Sequence, residues 1–187
     1  MASFQEFVAK QRQSYAIIEG SVGDAQVAYI QNLISKNDVK RVLEIGFNGG
    51  LSSAAFLSAR PDVTVVSFDL GVWDYVLSAK RLIDATFPGR HTLVIGDSTR
   101  TVPEFQGEFD LAFIDGGHTA PVPALDIANS LRLLKPGGLV LVDDYCAQYG
   151  SDGVIAAYDH AVESGAIKTI DGPHAHQDRG WVLARKV

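Results

Sequence analysis

With 187 residues, 47% of them hydrophobic and 20% charged, the chain has the size and balance of one globular domain, residues 1–187, with a sizeable buried core. Its net charge of −6, with 16 Lys and Arg scattered without a run, argues against nucleic acid as a partner, and no apolar stretch approaches the ~20 residues of a membrane span. Cys146 is the single cysteine, which excludes an internal disulfide or a cysteine-based metal cluster within one chain and reads as a small apolar filler.

Residues 1–10 carry Glu6 in an amphipathic pattern, unlike an export signal, so a cytoplasmic location is expected. Phe4, Phe7, Val8, Tyr15 and Ile18 recur at roughly helical spacing, Gly20 and Gly23 break the pattern, and Ala25 to Ser35 resumes it. Two helices are therefore expected as a cap over residues 1–38, ahead of a core at 39–187. Their apolar stripe requires a partner surface, either the cofactor side of the core or the interface of a homo-oligomer.

The segment KRVLEIGFNGGL, Lys40 to Leu51, reads as a buried strand ending in a glycine-rich turn, with Glu44 two residues before Gly46. That combination marks a nucleotide-like cofactor site. Asn48 and Leu51 stand where the dinucleotide fingerprint needs glycines, which favours a cofactor without a pyrophosphate over NAD or FAD.

Short apolar runs then alternate with amphipathic stretches. Strands are expected at Val42–Ile45, Val63–Phe68, Thr92–Ile95, Leu111–Ile114 and Leu139–Val142, and helices near 51–60, 74–86, 122–134 and 152–163. Such alternation predicts a Rossmann-like, doubly wound parallel sheet with helices on both faces. Ile167–Ile170 and Trp181–Ala184 are strand-like runs joined by the loop Asp171–Gly180, too short for a crossover helix, so they predict a C-terminal antiparallel hairpin that brings the sheet to seven strands.

Ligands of an open parallel sheet bind beyond the carboxyl ends of its strands. Each of the first five strands closes on polar residues there: Glu44 and the Gly46–Gly50 turn, Asp69, Asp97 with Ser98, Asp115 with His118, and Asp143 with Asp144. Any one of these is alternatively a turn former or helix cap, but their coincidence on one edge points to a site. Asp69 is placed to accept hydrogen bonds from ribose hydroxyls, and Asp97-Ser98 to meet an adenine edge, with Gly96 permitting the turn. Trp73, Tyr75, Tyr145 and Tyr149 follow strand ends on the same side and suit a flat ligand or the core equally.

Together, VLEIGFNGG, VVSFD, VIGDS, FDLAFIDGGH and LLKPGGLVLVDD resemble the motifs of class I S-adenosylmethionine-dependent methyltransferases, over roughly Gly23 to Val142. The chain looks most like the small metal-dependent O-methyltransferases of the catechol and caffeoyl-coenzyme-A type. The resemblance implies a cofactor site of Glu44, Gly46, Phe47, Asn48, Gly50, Ser52, Asp69, Leu70, Gly96, Asp97, Ser98 and Asp115. It also implies a magnesium site at Asp115, Asp143 and Asp144, the last standing where the family carries asparagine, and a small-molecule acceptor methylated on a hydroxyl.

Adjacent parallel strands lie about 4.8 Å apart, so three carboxylates at their ends would repel one another unless a hard divalent cation neutralised them. Helix capping by Asp144 is the alternative. His118 stands where the catechol-type enzymes carry a lysine base, and an imidazole with a pKa near ~6.5 can take a hydroxyl proton at neutral pH. The segment DGPHAHQDRG is a candidate acceptor wall, its His174, His176 and Arg179 otherwise forming solvated surface or a second metal site. Two further readings stay open: a metal-independent methyltransferase acting on nitrogen, carbon or a carboxylate, and a non-catalytic S-adenosylmethionine-binding module.

Overall fold

The computed structural model describes residues 22–146, 151–176 and 179–187. The first expected helix and Tyr149 lie outside the described residues, as do the side chains of His176 and Arg179. The described chain runs α1 (Asp24–Lys36), β1 (Arg41–Ile45), α2 (Leu51–Ala59), β2 (Thr64–Asp69), α3 (Asp74–Thr86), β3 (His91–Ile95), α4 (Ser98–Glu104), β4 (Phe109–Ile114), α5 (Val122–Leu133), β5 (Leu134–Asp143), α6 (Asp152–Glu163), β6 (Ile167–His176) and β7 (Arg179–Lys186).

The strands form one seven-stranded sheet in the order β3-β2-β1-β4-β5-β7-β6. β1 to β5 are parallel, while β7 runs antiparallel to both β5 and β6. This is the Rossmann-like architecture expected, with the order reversing beside β1. Alternate residues of each strand face opposite layers. Val42, Leu111, Phe113, Leu139 and Leu141 pack under α1, α2 and α3, whereas Leu43, Ile45, Ala112, Ile114, Val140 and Val142 pack against α4, α5 and α6. Strands buried on both faces are why the sequence shows continuous apolar runs there.

Local chemistry sets the element ends. α2 begins after Gly50, whose left-handed conformation (φ +76°) turns the chain out of the glycine loop, and it ends ahead of Pro61, which disfavours helix in the residue before it. Lys135 precedes Pro136 in the same way, and α5 has already stopped at Leu133. β5 then starts earlier than expected, because Leu134 pairs with Phe109 ahead of a register shift and the run through Gly137 counts as strand.

Two segments differ from expectation. Ser98–Glu104 is a short helix capped by Asp97, too brief for its period to show and interrupted by Pro103. Asp171–Gly180 is not a long loop: β6 continues to His176 and β7 starts at Arg179, with irregularities between Thr169 and Asp171 and between Asp171 and His174. β6 is the sheet edge, where Pro173 costs no ladder hydrogen bond and Gly172 (φ +93°) accommodates the irregularity. No helix among the described residues is long and apolar enough to cross a membrane.

Arg90, just ahead of β3, gathers the turn between α2 and β2. Its guanidinium donates to the carbonyls of Leu57, Arg60, Pro61 and Val63 at 2.9–3.2 Å and lies 5.1 Å from the Phe87 ring centroid. Arg90→Ala leaves the partly buried carbonyls of Leu57, Arg60 and Val63 short of a donor and should cost about 1–3 kcal/mol, read as a lower urea midpoint at unchanged m-value.

Candidate active site

The hydrogen-bond ladder runs one residue past the ends of β1, β3 and β4, so it holds the loops as well as the strands. Gly46 N–H donates to Phe68 O at 2.8 Å, Asp115 N–H to Ile45 O at 2.9 Å and Gly96 N–H to Asp69 O at 2.8 Å. The fit is close enough that a Cβ on Gly46 (φ +90°) would lie 1.9 Å from the Asp115 carbonyl oxygen. Glycine is required there by two independent constraints, conformation and space.

Asp69 organises the glycine turn itself. Its carboxylate accepts from Phe47 N–H at 3.0 Å, Asn48 N–H at 2.8 Å and Gly71 N–H at 2.7 Å. Backbone N–H groups gathered on one carboxylate fix the loop, and a carboxylate's roughly four lone-pair sites leave acceptor capacity for a ligand hydroxyl. Asn48 adopts a left-handed φ of +49°, which asparagine tolerates better than most residues. Phe47 contributes backbone only, because its ring is buried 4.9 Å from the His91 ring. Leu70, by contrast, is 61% exposed beside the loop.

Glu44 faces inward under this turn and is inaccessible to solvent. Ser52 donates to it at 2.5 Å, Ser53 and Ser67 donate as well, and Ser67 Oγ lies 2.8 Å from His91 Nε2. Burial pushes the Glu44 carboxyl up to about 7, against the lowering effect of the serine hydroxyls and with a smaller rise from the Asp69 charge. Ser52 thus serves Glu44, and Ser53, Ser67 and His91 were not expected at the site. Their signal was present: Ser67 is a polar residue inside VVSFD, directly paired with Glu44 across the parallel ladder.

Asp97 acts as the N-cap of α4, its carboxylate accepting from Thr99 N–H at 2.9 Å and Thr99 Oγ1 at 2.7 Å, which holds it below the usual carboxylate range. Gly96 (φ +144°) makes the preceding turn. Ser98 lies beside Asp126, a fully buried residue of α5 that sequence reasoning passed over as part of an amphipathic helix. Burial pushes the Asp126 carboxyl up to about 6, the Ser98 hydroxyl offsetting part of the rise. It packs under the loop after β4, where a Cβ on Gly116 would come within 2.8 Å of its Oδ2.

At the ends of β4 and β5, one ligand atom from each of Asp115, His118 and Asp144 lies within 4.8 Å of the others, and all three are half-buried. His118 Nε2 meets Asp144 Oδ2 at 2.8 Å. Asp144 leaves β5 in a left-handed conformation (φ +56°) that aspartate tolerates. Asp143, expected beside Asp115 and Asp144, is outside this group: it is 3% exposed, and its Oδ1 accepts the Asp144 N–H at 2.9 Å. The His118 loop rests on α6, since a Cβ on Gly153 would come 2.2 Å from the His118 carbonyl oxygen.

The expected aromatics divide. Trp73 is 36% exposed and stacks on Tyr75, which is buried. Tyr145 turns toward α6, its hydroxyl donating to Asp159 at 2.8 Å. On the hairpin, His174 sits 3.1 Å from Asp171, whose carboxylate also accepts from Tyr29 of α1 at 2.9 Å. Tyr29, His174 and Trp181 have ring centroids 4.9–5.6 Å apart, so the hairpin edge is tied to α1.

A seven-stranded sheet of this order, with a glycine turn after β1 and acids closing the next strands, defines a class I methyltransferase fold. The chain belongs to a family of methyltransferase domains, which matches it over residues 43–145. Among solved structures, cofactor-bound Rv0187 from MTB shares 20% identity over 100% of this chain and 90% of that one, with a TM-score of 0.85. The O-methyltransferase from Bacillus cereus, in complex with SAH, shares 18% over 100% and 91%, with a TM-score of 0.81. TomG from Streptomyces achromogenes, an O-methyltransferase of tomaymycin synthesis in complex with SAM, shares 22% over 98% and 88%, with a TM-score of 0.75. At these identities the shared property is the fold. No curated protein matches the sequence.

The raised Glu44 pKa has a definite consequence for stability. Between about 4.5 and about 7 the folded chain keeps a Glu44 proton that the unfolded chain has lost, so this residue's contribution falls as pH rises through that window and levels off above it. Glu44→Gln, permanently neutral, escapes the penalty. Its stability relative to wild type should grow from pH 5 to pH 8 by up to about 3 kcal/mol, measured by urea denaturation at each pH.

Proposed function

We propose that the chain binds S-adenosylmethionine over the carboxyl ends of β1 to β4 and transfers its methyl group to a hydroxyl of a small-molecule acceptor. A divalent cation, magnesium by the nature of the two carboxylates, would be held by Asp115, His118 and Asp144. The observation that carries this reading is the convergence of those three side chains at the strand ends immediately beside the glycine turn. Two carboxylate oxygens and an imidazole nitrogen suit a divalent cation, and manganese also accepts this donor set.

The residues fit the cofactor as well. Bare backbone at Gly46 lets the loop after β4 close against the glycine turn, and Asp69 pre-forms the turn while keeping acceptor capacity for ribose hydroxyls. Leu70 offers an exposed apolar surface beside it, and Gly96, Asp97 and Ser98 line the neighbouring strand end, where an adenine would lie. When bound, S-adenosylmethionine supplies an electrophilic methyl group and the cation lowers the pKa of an acceptor hydroxyl. The protein's own part is positioning and charge: Asp115 and Asp144 concentrate negative potential where that hydroxyl must bind, and the closed strand-end ladder keeps the loops from shifting.

A second reading follows from the 2.8 Å contact between His118 and Asp144. An imidazole oriented by a carboxylate is a general base, and His118, its Nε2–H directed to Asp144, would then take the acceptor proton at Nδ1 without a cation. The two readings part on chelation. Methyl transfer from S-adenosylmethionine to a panel of hydroxylated aromatics should be lost in EDTA and restored by Mg²⁺ or Mn²⁺, and His118→Ala should lower it by about 10²–10⁴-fold. Full activity in EDTA combined with loss in His118→Ala would select the metal-free dyad. Absence of S-adenosylhomocysteine binding by calorimetry would end both.

A further inference from the structure

Glu44 is buried with hydroxyl partners and, among the described residues, no salt bridge. Opposite it in the sheet stand Ser67 on β2 and Phe113 on β4, and α2 contributes Ser52 and Ser53. The titratable and charged groups facing this cluster are Asp69 at the end of β2, His91 at the start of β3, and, around His91, Lys80 and Asp84 of α3, which pair with each other. A carboxyl in such a place accepts or loses a proton according to what charge arrives nearby.

The partners suit both states. Serine hydroxyls and neutral imidazole are donors and acceptors at once. With Glu44 ionised, Ser52, Ser53 and Ser67 all donate to it, and His91 donates Nε2–H to Ser67. With Glu44 protonated, its hydroxyl donates to Ser67, which turns its own hydrogen to His91 Nε2 while the ring carries its proton on Nδ1, a buried nitrogen with no acceptor among the described residues. The Ser67–His91 contact survives in each arrangement, whereas a lysine or a leucine at position 91 would freeze one of them.

We infer that the Glu44–Ser67–His91 network is a proton-linked charge reader beneath the glycine turn, which makes that turn prefer a cofactor of net positive charge over its neutral product. The inference rests on the S-adenosylmethionine reading and deepens it. S-adenosylmethionine carries a sulfonium, and methyl transfer converts it to an uncharged thioether. Arrival of the cation drives the Glu44 proton into the buffer, leaving a carboxylate as counter-charge; after transfer that carboxylate is unpaired and recovers a proton from the buffer. No covalent bond other than the O–H bond is made or broken. Burial holds the Glu44 carboxyl at about 7, so the exchange falls near neutral pH, and it lowers the His91 imidazole to about 4, so His91 stays neutral and supplies no competing positive charge.

The test is calorimetric titration of the full chain with two probes: S-adenosylhomocysteine, whose net charge is zero, and sinefungin, in which an amine carries the positive charge in place of the sulfonium. At pH 6, in two buffers of different ionisation enthalpy, sinefungin should release about one proton more than S-adenosylhomocysteine, and at pH 8 almost none. The affinity ratio of sinefungin to S-adenosylhomocysteine should rise on the order of tenfold from pH 6 to pH 8, and Glu44→Gln should flatten both responses. Equal proton counts for the two probes in wild type, or a ratio that does not move with pH, would overturn the inference while leaving the cofactor site standing. No heat with either probe would overturn the site itself. Should Glu44→Gln fail to fold, the wild-type proton count decides alone.

Discussion

The site depends on a hydrogen-bond ladder that does not stop where the strands do. β1 has β2 on one side and β4 on the other, and Gly46 and Asp115 each add one more rung beyond them. Those rungs bring the backbone after β1 against the backbone after β4 so closely that position 46 has no room for a side chain. The glycine turn and the Asp115–His118 segment are therefore one rigid unit, although Gly46 and Asp115 are 69 positions apart in the sequence. Pre-formed loops of this kind reduce the ordering cost of binding, which is where a transferase that contributes mainly positioning gains most.

Rigidity of this sort carries acids into places where apolar residues would be more stable. Glu44 and Asp126 are both fully buried, and burial raises both carboxyls. They flank the site from opposite layers of the sheet, Glu44 under the turn after β1 and Asp126 under the loop after β4. A core chosen only for stability would carry neutral side chains at these positions. Two acids whose burial is unfavourable thus lie beneath the two loops that follow β1 and β4.

Much of this was legible in the sequence, and the limits have physical causes. Strands buried on both faces announce themselves as uninterrupted apolar runs, which is why β1, β2 and β4 could be placed within two residues from VLEI, VTVVSF and LAFI. The helix at Ser98–Glu104 is shorter than two helical turns and holds a proline, so it has no period to detect. Asp171–Gly180 is rich in glycine, proline and polar residues because an edge strand tolerates them, and the same composition describes a loop. At the site, residue types were readable and directions were not. Phe47 lies in the turn that was expected to hold a ligand and Ser52 in the first turn of the helix after it, yet the Phe47 side chain fills the core and that of Ser52 serves Glu44. Conversely, His91 was invisible as a partner of Ser67 in the Glu44 network because only the sheet brings positions 44, 67 and 91 onto three adjacent strands.

The end of β5 shows most clearly how conformation, rather than composition, decides where charge goes. Three carboxylates at adjacent strand ends would be mutually destabilising if all pointed into one space. The chain avoids this by treating Asp143 and Asp144 differently. Asp143 stays buried and spends one oxygen on the N–H of the next residue, while the left-handed turn at Asp144 carries its carboxylate across to His118. The carboxylate facing Asp115 thereby meets an imidazole, a group that can be a proton acceptor, a proton donor or a metal ligand. An asparagine at position 144 would lower the charge of the cluster but could not give His118 a charged partner. Asp144 thus holds His118 in place, whether or not a cation is shared between them.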